Sequence, residues 1–449
     1  MKRFRITRKL CGLLTLSLML AMASCSGSDY VNAIPDDSMM LISMNPTKLS
    51  GAKSPLILKS LLHVSNVGNT GLDLSSDVYF FEDSQGNLGL CAKVSDDGKL
   101  KDFLTAARLE LRKKRDCHFA ALPSGWVIGF SDKSALLMGP VVPAQQNDLM
   151  TLMSRYLTAD EDEGIKGTPM FDRLDSIDAP MAIVAQAKAL PEQFVAPFTI
   201  GAPKNADPAD IILAAAMEVK GNRLLMSGHT LSFKKSVNEA LEKASTVYRP
   251  IKGDYVRSMS KGDVLGMFLN VDGTKFHQLI TQNRSLTALL AGINTAIDMD
   301  NILKSVDGDL ALVSSSLGKD NLHLMMAARL GGAPWLQDVD YWKQSVPQGG
   351  RIGDWGKNCY FYTGGGTTYY FGVTPDMQYM SGGSAEEALR SIKASDDPIG
   401  DDLQKMIVGQ KLVMIVNFAA LQGGKAGAVT ALLKPMFGNV DTIVFTMKN

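Results

Sequence analysis

Histidine and cysteine are scarce in this chain, with five of each in 449 residues, and their placement removes most metal and nucleophile chemistry. His63, His118, His229, His277 and His323 lie far apart, with neither an H-E-x-x-H run nor another ligand pair at helical spacing. Cys91, Cys117 and Cys359 have no C-x-x-C partner. The first two fall in strand-like runs, and are expected either to pair in an oxidising compartment or to remain buried thiols. No G-x-S-x-G surrounds Ser124, and neither Gly364-Gly365-Gly366 nor Gly382-Gly383 has the form of a phosphate loop. The acidic run Asp160-Glu161-Asp162-Glu163 lacks the ligand spacing of a calcium loop. No catalytic residue, metal or cofactor is therefore expected. Excess charge is missing too, with 46 basic and 46 acidic residues. What remains, 45% hydrophobic and 20% charged, is ordinary globular composition with core material for several domains.

Long apolar runs are absent except near the start, where residues 10–20 follow Lys2, Arg3, Arg5, Arg8 and Lys9. Eleven apolar-rich positions behind a basic cluster are too few to span a bilayer and have the form of a signal peptide, here residues 1–24. Ala21-Met22-Ala23-Ser24-Cys25 resembles the lipobox of bacterial lipoproteins, although Met22 stands where leucine is more typical. The resemblance implies cleavage before Cys25, lipidation of that cysteine, and a short tether over residues 25–29. Several acyl chains anchor stably, because each buried CH₂ contributes about 0.8 kcal/mol. Loss of residues 1–24 leaves 41 basic against 46 acidic residues, a net of −5, which disfavours nucleic acid as a partner.

The mature chain is organised around a repeated unit, an apolar strand that stops at asparagine. Met39 to Met44 runs into Asn45, Val264 to Leu269 into Asn270, and Leu412 to Val416 into Asn417. Around the first copy, residues 77–81 and 88–92 flank the turn chemistry of Asp83-Ser84-Gln85-Gly86-Asn87 and predict a hairpin. A helix is expected over 98–115, ended by Arg112-Lys113-Lys114-Arg115, and then a second hairpin over 126–138. The same order returns about 230 residues later: strands at 309–313 and 322–326, a helical stretch near Trp335, strands at 369–372 and 377–382. The pattern predicts an α+β fold of two duplicated lobes, residues 30–255 and 256–449, each a largely antiparallel sheet with helices on one face. The first lobe adds a strand over 223–233 that the second lacks, so the edge after residues 441–444 must either stay open or be covered from elsewhere.

Ile34-Pro35-Asp36-Asp37, shortly after the lipobox and just before the first strand-Asn unit, resembles the start of uncharacterised envelope lipoproteins of Bacteroidales, of the Bacteroides and Prevotella type. That resemblance implies an outer-membrane lipoprotein facing periplasm or exterior, with no known activity to carry over.

Between Trp335 and Phe371 lie ten of the 32 aromatic residues of the chain. Aromatic faces beside carboxylates commonly hold sugars or mark protein interfaces. Trp335, Asp338, Asp340, Tyr341, Trp342, Arg351, Asp354 and Trp355 are therefore the candidate ligand-binding residues. The expected function is non-enzymatic binding or scaffolding of an envelope protein or glycan by a membrane-anchored chain. An envelope hydrolase using Asp338, Asp340 or Asp354 as acid and base is one alternative. A pilus-like subunit with the unfinished second lobe as acceptor edge is the other.

Overall fold

The computed structural model describes residues 29–49, 70–122, 125–190, 192–283, 286–287, 297–316, 324–420 and 437–447. The expected signal peptide, Cys25, most of the helix expected after Pro46, Ser124, and the turn expected at 317–320 lie outside these residues. Described residues up to Ser176 form one compact unit and those from Ile177 a second. The units thus divide well before residue 255, where the sequence pattern set the end of the first lobe. The reason is hydrogen bonding: strands between 181 and 231 belong to the sheet of the second unit.

The first unit contains β1 (Met40–Met44), β2 (Val78–Glu82), β3 (Leu88–Lys93), β4 (Arg112–Lys114), β5 (Cys117–Ala121), β6 (Val127–Phe130) and β7 (Ser134–Gly139). They pair in the order β1-β2-β3-β7-β6-β5-β4, every neighbour antiparallel. The β2–β3 hairpin forms as its turn residues predict. Asp83, wholly buried, accepts from the backbone N–H of Gln85 and Asn87 at 2.9 and 2.8 Å and from the Tyr156 hydroxyl at 3.2 Å. Gly86 supplies the positive φ, 82°, that closes the loop.

The helix expected to reach Arg115 stops at Ala106, and Arg108 turns the chain with φ 61°. Arg112 to Lys114 is instead an exposed strand at the sheet edge. Three cations there repel another chain that would pair with the edge. Cys91 and Cys117 are buried free thiols, so the disulfide alternative does not hold.

The second unit contains β8 (Met181–Gln186), β9 (Ile212–Lys220), β10 (Arg223–Leu231), β11 (Tyr248–Arg249), β12 (Leu265–Asp272), β13 (Val306–Ser314), β14 (Leu324–Leu330), β15 (Arg351–Gly356), β16 (Cys359–Gly364), β17 (Thr367–Val373), β18 (Gln378–Gly382), β19 (Leu412–Asn417) and β20 (Thr442–Met447). The order is β8-β9-β10-β20-β19-β12-β13-β14-β18-β17-β16-β15, with β11 on the end of β12. All pairs are antiparallel except β10 with β20, which run parallel from Arg223↔Thr442 to Gly228↔Met447. The edge that the second lobe leaves unfinished is therefore covered by β10, which removes the acceptor edge that a pilus-like subunit would need.

Residues two apart on a strand share a face. Ala311 and Val313, Met325 and Ala327, and Val413 and Ile415 accordingly join Phe268 and Val444 in one core, capped by Ile251 to Met259 and the helix Asp401–Ile407. The order β1-β2-β3-β7-β6-β5-β4 has the same connectivity as β12-β13-β14-β18-β17-β16-β15.

Each strand-ending asparagine turns its side chain onto neighbouring chain. Asn45 Oδ1 accepts from the N–H of Thr47 and of Lys48, both at 3.1 Å. Asn270 Nδ2 donates to Asp309 at 2.7 Å, and Asn417 Nδ2 to the Lys261 carbonyl at 2.8 Å. A mixed α/β chain results, mostly sheet, with ten α-helices among the described residues.

Candidate functional site

Past β14 the chain runs through Gly331-Gly332-Ala333 into a 3-10 turn, Pro334–Asp338, and the helix Val339–Ser345. Helical spacing puts Trp335, Val339 and Trp342 on one buried face. The two indoles stack with centroids 5.8 Å apart and planes 8° from parallel, and both approach Phe371 on β17. Trp335 also meets Tyr379 of β18 edge-on at 6.4 Å. Each ring is large enough for its apolar area to dominate where it sits. Trp335 and Trp342 are thus core residues and present no open stacking platform.

The remaining candidates lie in three separate settings. Tyr341 is 69% exposed and turned away from the stacked pair. Asp340 and Asp354 flank the Lys343 ammonium at 3.6 and 2.8 Å, and the ammonium lies 5.3 Å over the Tyr360 ring. The hydrogen bond that the ammonium donates to Asp354, then the charges of both carboxylates, raise the Lys343 pKa above its ordinary value. Trp355 is half-buried, donates from Nε1 to the Tyr360 carbonyl at 2.9 Å, and meets Tyr370 edge-on. Arg351 lies 5.8 Å over the Phe361 ring, a cation–π contact. These groups tie β15 and β16 to the helix Val339–Ser345, and the contacts they make account for them structurally.

Asp338 goes elsewhere. With Trp335 it lines a cleft of about 660 Å³. The other walls come from the start of the helix Gly273–Ile280, through Asp272 and Thr274, and from the end of the helix Met299–Lys304, through Lys304, Ser305 and Asp307. A volume of this size falls in the range of small-ligand sites, roughly 300–1,000 Å³.

Three features of the cleft stand out chemically. Asp272 and Asp307 are direct partners in the β12–β13 register, an arrangement of like charges that costs stability in a sheet. Each is offset locally: Asp272 caps its helix by accepting from the Lys275 N–H at 3.1 Å, and Asp307 pairs with Arg249 at 2.9 Å. Asp338 and Lys304 have no such offset, since neither makes an ion pair among the described residues. Finally, Trp335 is 1% exposed, and its indole N–H is buried without an acceptor. Leaving a buried donor unmade costs about 1–3 kcal/mol, so this is an atom whose partner has to be accounted for.

Sequence reasoning reached Trp335 and Asp338 but missed Asp272, Lys304 and Asp307. They come from segments that only the strand pairing brings together. The available signal was Asp272 and Asp307 themselves, two acidic residues at facing ends of strands that an apolar pattern had already identified. Among the described residues no three His, Cys, Asp or Glu side chains are grouped to hold a metal, and no helix is long and apolar enough to cross a membrane.

Comparison with known proteins places the chain in a family. The model for a domain of unknown function, DUF4836, matches residues 47–393, and the chain belongs to that family. No curated protein matches. Among solved structures, crystal form IV of TP0453 is similar with a TM-score of 0.24 and 9% identity, over 43% of this chain and 76% of that one. Crystal form I of TP0453 gives a TM-score of 0.23 and 7% identity, over 82% of this chain and 97% of that one.

Proposed function

We propose that this member of the DUF4836 family is a lipoprotein of the bacterial cell envelope, of the Bacteroides and Prevotella type, that holds a ligand without transforming it. Its anchor is the lipid on Cys25 in the outer membrane, and its binding site is the Trp335 cleft. The anchor reading rests on the lipobox-like run before Cys25 and the basic, apolar segment ahead of it. The binding reading is carried by one observation, the cleft of about 660 Å³ walled by Asp272, Lys304, Asp307 and Asp338, in which Lys304 and Asp338 make no ion pair among the described residues.

We also infer that the two strand systems descend from one duplicated lobe. The matching connectivity of β1 to β7 and β12 to β18 supports this, as does the pairing of Asn270 with Asp309 beside that of Asn45 with Asp77.

Fractionation tests the anchor: wild-type protein should sediment with membranes and Cys25→Ala should be released, and sedimentation of both would remove the lipid from the account. Thermal unfolding tests the cleft. A ligand-containing glycan extract of the envelope should raise the Tm of the soluble chain from Ser26 onward and leave Asp338→Ala and Lys304→Ala variants unshifted. An equal shift in all three would move the site away from the cleft.

A further inference from the structure

We propose that the β4 edge of the first unit rests on an anionic lipid surface, its arginines and lysines meeting the phosphates of the headgroups. The inference rests on the reading of Cys25 as the anchor, and adds which part of the first unit faces the bilayer.

The edge runs against the charge of the rest of the chain. Residues 108–116 carry Arg108, Arg112, Lys113, Lys114 and Arg115 against Glu110 and Asp116, all seven exposed, whereas the chain beyond residue 24 has 41 basic against 46 acidic residues. Arg112 approaches Glu110 at 3.7 Å, and Lys114 donates to the Thr151 hydroxyl. Arg108, Lys113 and Arg115 make no ion pair among the described residues. Successive side chains of a strand leave opposite faces, so Arg112 and Lys114 lie on one side of the sheet and Lys113 on the other. A flat anionic surface meeting the edge would touch cations on both sides of its line.

Tyr30 fixes where the tether begins. Its ring packs on Tyr79 with centroids 6.2 Å apart, and its hydroxyl donates to the Asp77 carbonyl at 2.8 Å. Its own carbonyl accepts from Cys91 Sγ on β3 at 3.3 Å and from Ser134 Oγ on β7 at 3.1 Å. From Ala135, the next residue, the register leads directly to the edge: Ala135 pairs with Phe130, Phe130 with His118, and His118 with Lys113. Three strand spacings place Lys113 about 14 Å from the row beside which Tyr30 is held. Cys25 precedes Tyr30 by five residues, which span at most about 18 Å when extended. With the sheet standing on its β4 edge, the tether is long enough for the Cys25 lipid to enter the surface that the cations touch. An acidic protein would match the charge equally well, but the tether keeps a bilayer within reach at all times and keeps no such protein there. Each cation close to an anionic surface strengthens partition about fivefold, and salt screens the attraction.

The experiment floats the soluble chain from Ser26 to Asn449 with vesicles of equal parts phosphatidylglycerol and phosphatidylcholine, and with vesicles of phosphatidylcholine alone. The chain should float with the first and not with the second, and high salt should release it. The triple variant Arg112→Gln, Lys113→Gln, Lys114→Gln should lose partition about a hundredfold. A control of equal net charge, Lys204→Gln, Lys220→Gln, Lys235→Gln, removes three exposed cations of the second unit and should bind as wild type does. Should the β4 triple variant unfold, Lys113→Glu alone, at an exposed position without an ion pair among the described residues, should still weaken partition fivefold or more. Equal binding by the β4 variants and the control would overturn the proposal, and so would the absence of wild-type binding to the anionic vesicles. Binding of soluble poly-glutamate to the edge in place of vesicles would assign it to an acidic protein and overturn the lipid surface. Membrane fractionation of Cys25→Ala in high salt, where the edge is screened, tests the anchor separately, so either reading can fail while the other stands.

Discussion

Asn270 and Asp309 face each other across β12 and β13, and the asparagine Nδ2 donates to the aspartate at 2.7 Å. The same carboxylate accepts from three consecutive backbone N–H groups, those of Lys252, Gly253 and Asp254, at 2.9, 2.6 and 2.9 Å. Asn270 Oδ1 in turn accepts from Arg249 at 2.9 Å. The recurring asparagine is therefore a structural clamp, which holds the approach segment 249–254 against the strand pair.

Removing the clamp should cost in a graded way. Asn270→Ala takes away one charge-assisted bond and should lower stability by about 1–3 kcal/mol. Asp309→Ala orphans three backbone donors at once and should cost more than about 3 kcal/mol. Urea unfolding of the soluble chain measures both, and a loss for Asp309→Ala no larger than for Asn270→Ala would refute the clamp.

Tyr341 and Trp342, adjacent in sequence, should respond oppositely to truncation. Trp342→Ala opens a cavity under Trp335 and Phe371 and should cost about 3–5 kcal/mol. Tyr341→Ala removes an exposed ring and should stay within about 0.5 kcal/mol of wild type. Equal effects in thermal melts would mean that the stacked pair is not core.

Burial pushes the thiols of Cys91, Cys117 and Cys359 above the ordinary cysteine range. All three should resist a thiol reagent at pH 8 and react together once guanidinium unfolds the chain. A disulfide between Cys91 and Cys117 in a non-reducing peptide map would contradict the structure.

Asp73 provides a pH signature in the first unit. The Ser75 hydroxyl and N–H, the Ser76 hydroxyl and the Lys93 ammonium hold its carboxyl at about 2, from 3.8, with burial working the other way. A pKa lower in the folded state means that the unfolded chain binds the proton more readily. The contribution is therefore present above pH 3.8 and lost as pH falls towards about 2. Solvent screening leaves it on the order of 1 kcal/mol. Asp73→Asn should be less stable than wild type at pH 6, and the gap should close between pH 4 and pH 2. A gap that stays constant with pH would assign the effect to something other than this carboxylate.

Local chemistry made much of this fold readable. Asp83 to Asn87 announces its turn because the side chain of Asp83 and the φ of Gly86 act within five residues. Ser384 and Glu387 announce the helix Ala385–Ser391: Ser384 Oγ accepts from the Glu387 N–H at 3.1 Å, and Glu387 Oε2 accepts from the Gly383 N–H at 2.8 Å. The basic run Arg112 to Arg115 misled because cations suit a helix end and a sheet edge equally well, and only pairing with β5 decides between them. Aromatic clustering pointed to residues 335–371 but could not tell core from surface. Trp335 and Trp342 differ from Tyr341 in what packs over them, and Phe371 and Tyr379 arrive from strands whose register sequence does not state. The cleft was half visible for the same reason, its third wall being carried by β13.

The parallel seam between β10 and β20 sets the timetable of assembly. Thr446 reaches back to the Met226 carbonyl across 220 positions, so one side of the seam leaves the ribosome long before the other exists. Until then β10 holds its hairpin with β9 and offers a free row of amides and carbonyls on its other flank. Contacts this distant form slowly. The larger sheet is therefore not completed until β20 is available, and in that interval the open flank of β10 needs a chaperone or a second strand to occupy it.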